Sequence, residues 1–140
     1  MPLMSIEQAY RMPVLTLAFI GDTVCDLLIR TELIYTGKSV KDMHENAKDT
    51  VNAHAQACQL HKIMHLLENT EMDIVNRARN AHPARTIPPS ATREEYLKAT
   101  GYEALMGFLF LTGQMLRAQK LFQLSRVEDD PCLKKNYTSK

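Results

Sequence analysis

Long apolar runs are missing from this 140-residue sequence, aromatic residues make up 6% of it, and tryptophan is absent. A membrane-spanning helix needs about 20 consecutive apolar residues, so no such helix is expected. No signal peptide opens the chain, which favours a cytoplasmic protein. Alternation of β-branched residues with polar ones is also missing, which disfavours strands. Helix-forming residues dominate instead, and the sequence predicts an all-α fold.

Cysteine pairs and a strong net charge are missing as well. The chain has three cysteines, Cys25, Cys58 and Cys132, at wide separations without the paired spacing of a zinc site. We therefore expect reduced thiols rather than disulfides or bound zinc. The net charge of +1 gives no overall attraction for a polyanion. Binding to nucleic acid must come from a local basic patch, which dimerisation would double.

The stretch PVLTLAFIGDTVCDLLIR, residues 13–30, predicts the main amphipathic helix of the chain. Its apolar residues recur at helical spacing, and Pro13 suits a first helical turn. Gly21 interrupts this pattern at a cost of roughly 1 kcal/mol relative to alanine. We expect close helix packing at Gly21, and we place this helix at the seam of a dimer.

Two acids lie on predicted apolar helix faces. Asp22 shares a face with Leu15, Ala18 and Ile29, and Glu103 lies in the segment KATGYEALMGFLFL. A carboxylate on an apolar face needs a partner, because burying it unpaired is costly. Arginine or backbone N–H groups could satisfy both acids. Alternatively, the two acids hold Mg²⁺, a hard cation that is often bound by one or two carboxylates and several waters.

Caps and periodicity predict the other helices. The segment NAHPARTIPPSA is too rich in proline for a helix and is predicted to be an exposed loop. We expect one domain over residues 1–124 and a polar tail over residues 125–140. The predicted helices start at Ser5 and Ser39, run from Asp49 to Leu67, start at Thr70, and run from Thr92 to Gly113 and from Gln114 to Leu124.

The basic residues concentrate around this loop. A solvated charged face is the simpler interpretation, but long loops are often functional and arginine grips phosphate with its planar fork. A-form RNA is recognised largely through phosphates and 2′-hydroxyl groups, which such a patch suits. The candidate RNA-binding residues are Arg77, Arg79, Arg85, Arg93 and Lys98.

Two smaller patterns each leave alternatives open. Asp26 stands four residues before Arg30, which favours an ion pair over a carboxylate near the metal. His61 and His65 have the i,i+4 spacing of a metal pair. No third ligand accompanies them, although zinc usually takes three or four protein ligands.

Several motifs in order resemble one family. LAFIGDTVCDLLIR resembles the signature helix of the ribonuclease III catalytic domain, TGYEALMGFLFLTG resembles its second acidic motif, and VNRARNAH is similar to a basic segment of that family. The resemblance covers roughly Arg11 to Leu124. It is strongest to Mini-ribonuclease III, the short bacterial form that lacks a separate double-stranded-RNA-binding domain.

The resemblance implies an all-helical, homodimeric endoribonuclease that cuts double-stranded RNA with Mg²⁺, for which Mn²⁺ can substitute, and without an organic cofactor. It implies that Asp22 and Glu103 are the catalytic and metal-binding residues. It also implies products with a 5′-phosphate and a 3′-hydroxyl, and the precursor of the large-subunit (23S) ribosomal RNA as substrate.

The sequence departs from full-length ribonuclease III at two positions. Ala18 stands where that family usually has glutamate, and Thr100 stands where it usually has aspartate. These departures leave the number of metal ions open. The alternative function is a catalytically inactive helical RNA-binding or ribosome-assembly protein on the same fold. The presence of both Asp22 and Glu103 argues against it, because a pure binder gains nothing from them.

Overall fold

The computed structural model describes residues 2–82 and 86–126, and this part of the chain contains helices and no strand. The predicted all-α fold is confirmed. The α-helices are α1 (Ile6–Tyr10), α2 (Val14–Ile34), α3 (Val40–Thr50), α4 (Ala53–Ile63), α5 (Asn69–Arg79), α6 (Arg93–Leu111) and α7 (Met115–Ser125), and a 3₁₀ turn covers Met64–Leu66.

Side-chain caps start the helices where the sequence predicts them in three places. Ser5 caps α1, and Ser39 caps α3 by accepting the backbone N–H of Asp42 at 3.2 Å. Thr92 and Glu95 form a capping box at the start of α6, in which each side chain accepts the backbone N–H of the other residue. These starts were predictable because the cap and its partner lie three residues apart in sequence.

The predicted helix from Asp49 to Leu67 is wrong, because α3 ends at Thr50 and α4 begins at Ala53. Val51 and Asn52 lie between the two helices. The Asn52 side chain accepts the backbone N–H of Ala55 at 2.9 Å and donates to the carbonyl of Asp49 at 2.6 Å. It therefore caps α4 and separates it from α3. The predicted start at Thr70 is also wrong, since Glu68 is the N-cap residue of α5.

Helix α6 forms the centre of the fold. It packs against α2, α4, α5 and α7. Every residue from 99 to 109 is buried except Glu103, which is half-buried. A helix that is apolar around its whole circumference belongs in a core. Helix α2, the longest, lies along one side of α6 and keeps an exposed face.

A buried ion pair fixes α7 to the rest of the fold. Arg117 donates to both carboxylate oxygens of Glu71, at 2.7 and 2.9 Å, and to the carbonyl of Leu66. Glu71 is buried, and although burial alone would raise its pKa, the hydrogen bonds from Arg117 and from the Glu68 backbone lower it below the usual value. One arginine thus joins α7, α5 and the 3₁₀ turn.

Helix α7 extends slightly beyond the predicted domain boundary at residue 124. Ser125 is its last residue and is buried, with its hydroxyl 3.0 Å from that of Tyr102 on α6. Arg126 pairs with Glu32 of α2 at 2.7 Å. The rest of the predicted tail lies outside the described residues. Within those residues no helix is long and apolar enough to cross a membrane.

Candidate active site

Two glycines allow α2 and α6 to approach each other closely. A Cβ atom at Gly21 would overlap the carbonyl oxygen of Glu103, and one at Gly107 would overlap the carbonyl oxygen of Leu17. The backbones therefore touch, and the two helices run in opposite directions. Since Asp22 follows Gly21, this crossing brings both predicted catalytic acids to one place.

The sequence predicted that both acids lie on apolar helix faces, and this prediction is wrong for Asp22. Asp22 is exposed rather than set among apolar residues, and Glu103 is half-buried next to buried Ala99 and Met106. Periodicity places Asp22 on the same stripe as Ala18, but it does not reveal where the packed face of the helix ends. The exposure leaves the Asp22 carboxylate open to water and to a ligand.

The thiol of Cys25 lies within electrostatic range of acids on both α2 and α6. Cys25 is buried on α2, and burial raises its pKa well above the usual value. The negative charges of Glu103, Asp22 and Asp26 raise it further. The charges of Asp22 on α2 and Glu103 on α6 thus both act on one buried thiol.

Asp26 and Thr100 both make hydrogen bonds within their own helices. Asp26 accepts a hydrogen bond from Arg30 at 2.9 Å, which is the i,i+4 ion pair favoured by the sequence. Thr100 donates its hydroxyl to the carbonyl of Tyr96 at 2.9 Å, one turn earlier in α6. Together with buried Ala18, they leave Asp22 and Glu103 as the acids with a candidate role in metal binding.

The chemistry of Asp22 and Glu103 fits a hard divalent cation. Their carboxylate oxygens suit Mg²⁺, which keeps several of its waters and is often bound by one or two carboxylates. The exposure of Asp22 leaves room for those waters and for a phosphate. No group of three or more metal-ligating side chains occurs within residues 2–82 and 86–126. His61 and His65 are exposed, and they belong to α4 and the 3₁₀ turn respectively.

Two of the predicted RNA-binding residues are engaged in contacts within the protein. Arg77 donates to the carbonyl of Tyr10 at 2.8 Å, lies over the Tyr10 ring and pairs with Asp73, so it joins α1 to α5. Lys98 pairs with Glu94 at 2.9 Å and lowers the pKa of that carboxyl group. Both cations are therefore less available to a ligand than the sequence suggests.

Arg79 and Arg93 face a cleft between the end of α5 and the start of α6. The cleft has a volume of about 520 Å³, and we call it the basic cleft. Neither arginine side chain has a hydrogen bond or ion pair with the described residues. Arg85 lies outside the described residues. The basic cleft is lined by Asn76, Arg79, Asn80, Arg93, Glu94 and Leu97.

The two asparagines of the basic cleft were not predicted from the sequence. Asn76 and Asn80 lie one turn apart at the end of α5, where their amides can donate to a ligand oxygen. The i,i+4 spacing on a helix that carries Arg79 is the signal that could have found them. The basic cleft thus offers charged and neutral hydrogen-bond donors, and both kinds can bind the oxygens of a phosphodiester.

The exposed face of α2 carries large apolar side chains. Phe19 is 77% exposed, Leu27 is 52% exposed and Ile34 is 62% exposed. They recur every seven or eight residues, so they lie along one face of the helix, and Phe19 precedes Asp22 by about one turn. A row of exposed, large apolar side chains of this length indicates a contact surface.

Comparison with known proteins gives one family match, two similar relatives and one similar solved structure. Residues 15–114 match the ribonuclease III domain family. The Mini-ribonuclease 3 of Symbiobacterium thermophilum is 40% identical over 121 residues, covering 86% of this chain and 92% of the relative. That of a Thermoanaerobacter species is 38% identical, covering 88% and 87%. A crystal structure of a Fusobacterium nucleatum protein matches with a TM-score of 0.74 and 31% identity, covering 81% of this chain and 91% of that protein.

Proposed function

This chain belongs to the ribonuclease III family and is an endoribonuclease, and we propose that it cuts double-stranded RNA in a reaction that requires Mg²⁺. The observation that supports this proposal is the close contact between the backbones of Gly21 and Glu103, because Asp22 directly follows Gly21 in α2. The products would carry a 5′-phosphate and a 3′-hydroxyl. The test is cleavage of an RNA duplex by the purified protein with and without Mg²⁺.

Asp22 and Glu103 would hold the metal. When bound, Mg²⁺ supplies Lewis-acid polarisation of the scissile phosphate and promotes deprotonation of the attacking water. Exposed Asp22 faces the solvent from which RNA and water arrive, whereas half-buried Glu103 is fixed in the central helix. A carboxylate held on a buried helix is preorganised, so less reorganisation is needed during the reaction.

The precursor of 23S ribosomal RNA is the proposed natural substrate, and the cytoplasm is the proposed site of action. The match to Mini-ribonuclease 3 proteins over most of their length supports both proposals. The alternative is a catalytically inactive RNA-binding or ribosome-assembly protein on the same fold. Absence of cleavage together with tight duplex binding would favour that alternative.

The basic cleft is proposed to bind the RNA backbone. Arg79→Ala and Arg93→Ala should each weaken duplex binding by about 10- to 100-fold, because a charge-assisted hydrogen bond to phosphate is worth about 1.5–3 kcal/mol. The slope of log Kobs against log salt should become shallower by about 0.9 for each phosphate that is no longer bound. Fluorescence anisotropy with a labelled duplex, measured over a salt series in EDTA, gives both quantities.

Arg11→Ala provides the control for these variants. Arg11 is an exposed arginine that pairs with Glu7 on α1, away from the basic cleft. It should leave affinity and salt slope unchanged. Equal effects from Arg11→Ala and Arg79→Ala would mean that the RNA responds to total charge rather than to the basic cleft.

A homodimer is the proposed assembly, and a second copy of this chain is the proposed partner of the apolar stripe on α2. A two-fold axis beside α2 would bury Phe19, Leu27 and Ile34 against the same residues of the other copy. It would also bring two Asp22–Glu103 sites to one surface, as staggered cutting of two strands requires. Burying a phenylalanine side chain stabilises association by about 2 kcal/mol.

Phe19→Glu and Leu27→Glu should therefore each convert the dimer to a monomer. Both side chains are exposed in one copy, so the helical fold should be unchanged. Sedimentation equilibrium at micromolar concentration should give twice 15.9 kDa for the wild type and 15.9 kDa for the variants. Leu116→Glu on α7, where Leu116 is 83% exposed, should leave the dimer intact. A monomeric wild type would contradict the proposal.

A further inference from the structure

A histidine–carboxylate contact joins the first turn of α6 to the first turn of α4. Nδ1 of His54 contacts Oε2 of Glu95, and both side chains are partly exposed. The second oxygen, Oε1 of Glu95, accepts the backbone N–H of Thr92 at 3.2 Å. One carboxylate thus caps α6 and ties it to α4.

Cys58 continues this contact along α4. Its Sγ lies 3.8 Å from Nε2 of His54, one turn further along the helix. With the Nδ1 proton directed at Glu95, Nε2 becomes an acceptor for the thiol. The imidazole ring is therefore held from both sides, and its orientation towards Glu95 is fixed. A histidine held in this way is suited to position a neighbouring element rather than to move freely.

The first turn of α6 also carries part of the basic cleft. Arg93 and Glu94 line the basic cleft opposite Arg79 of α5, and the next residue, Glu95, turns towards α4. Lys98 lowers the pKa of Glu94 through a hydrogen bond and its charge, and the positive charge of Arg79 across the basic cleft lowers it further. The first turn of a helix opens more readily than its buried middle, so its position depends on its side-chain contacts.

We propose that His54 and Glu95 are positioning residues for RNA binding, which hold the first turn of α6 so that Arg93 faces Arg79 across the basic cleft. This proposal rests on the proposed role of the basic cleft. Glu103 lies two turns further along α6, where the helix is buried on most sides. Breaking the interaction between His54 and Glu95 should therefore weaken RNA binding and leave the cleavage rate at saturating RNA unchanged.

The test compares four variants with one control. His54→Gln removes the donor at the Nδ1 position, whereas His54→Asn places an amide nitrogen close to it. Glu95→Gln removes the acceptor charge, and the double variant His54→Gln/Glu95→Gln completes a mutant cycle. His61→Gln makes the same change at an exposed position of the same helix. Affinity for a labelled RNA duplex is measured in EDTA, and the cleavage rate is measured with Mg²⁺ at saturating RNA.

His54→Gln and Glu95→Gln should each raise Kd by about fivefold, as expected for removal of one hydrogen bond of about 1 kcal/mol. The double variant should be no worse than either single variant, because all three remove the same interaction. His54→Asn should bind within about twofold of wild type, and His61→Gln should equal wild type. Additive effects, failure of His54→Asn to rescue, or an equal loss of cleavage rate would overturn the proposal.

Amide hydrogen exchange without RNA gives an independent readout. Residues 95–97, the first amides of α6 that are hydrogen-bonded, should exchange faster in His54→Gln and Glu95→Gln than in wild type or His61→Gln, while residues 99–109 stay protected. Unchanged exchange over residues 95–97 would overturn the proposal regardless of any RNA result. A wild type that bound no RNA would refute the proposed function, and faster exchange in both variants would still support the His54–Glu95 interaction as a restraint on α6.

Discussion

Asp22→Asn and Glu103→Gln are each expected to reduce Mg²⁺-dependent cleavage of duplex RNA by about a thousandfold. Each change removes the negative charge of a proposed metal ligand and keeps the size of the side chain. Asp22 is exposed, so its replacement should leave the thermal midpoint near that of wild type. Cleavage rates under single-turnover conditions and thermal melts followed by far-UV circular dichroism test the two expectations together.

Asp26→Asn is the matched control for Asp22→Asn. It makes the same change one turn further along α2, at a carboxylate that pairs with Arg30. The free energy of unfolding of Asp26→Asn should fall by no more than the few tenths of a kcal/mol that an exposed i,i+4 ion pair contributes. The variant should cleave RNA at close to the wild-type rate. Wild-type cleavage by Asp22→Asn, or an equal loss in Asp26→Asn, would contradict the assignment of the two acids.

Gly21→Ala is expected to lower the free energy of unfolding by about 3 kcal/mol or more. The added Cβ would overlap the backbone carbonyl of Glu103, and a backbone atom cannot move aside as a flexible side chain can. The two helices would have to separate, which would also displace Asp22 from Glu103. Urea denaturation gives the change in stability, and the cleavage rate under native conditions gives the change in the site.

Gly101→Ala is the control for this substitution, because Gly101 lies in the interior of α6 but has more space. A Cβ there would lie 3.4 Å from Val75, an ordinary packing distance. Since alanine favours a helix by roughly 1 kcal/mol over glycine, Gly101→Ala should be neutral or stabilising. A Gly21→Ala protein as stable as the wild type would contradict the close crossing of α2 and α6.

The sequence predicted close packing at Gly21, and the structure shows that the partner is α6 of the same chain. A glycine in the middle of a helix indicates that another element packs closely against it. It does not show whether that element belongs to the same chain or to a second copy. Gly21 therefore gives no support to a dimer seam, and the homodimer proposal depends on Phe19 and its neighbours on the exposed face of α2.

Local signals predicted much of the fold. The caps at Ser5, Ser39 and Thr92 lie within three residues of their partners, so the sequence alone shows them. The break at Asn52 was missed because alanines and apolar residues continue on both sides of it. An asparagine that caps a helix is a weaker signal when helix formers surround it.

Contacts between distant residues could not be predicted from the sequence. Arg77 and Arg79 look equivalent along the chain, yet Arg77 binds Tyr10, which is 67 residues away, while Arg79 lines the basic cleft. Asp22 and Glu103 were found through motifs, but the exposure of Asp22 depends on which elements cover α2. The interaction of His54 with Glu95 spans 41 residues and left no periodic signal.

The most direct test of the proposed function is cleavage of a long, end-labelled RNA duplex by the wild-type protein. Parallel reactions contain Mg²⁺, EDTA, or a single-stranded RNA of the same sequence with Mg²⁺. The proposal predicts cleavage of the duplex with Mg²⁺ alone, and products that carry a 5′-phosphate and a 3′-hydroxyl. An uncut duplex with Mg²⁺, or equal cleavage in EDTA, would contradict a metal-dependent endoribonuclease that acts on double-stranded RNA.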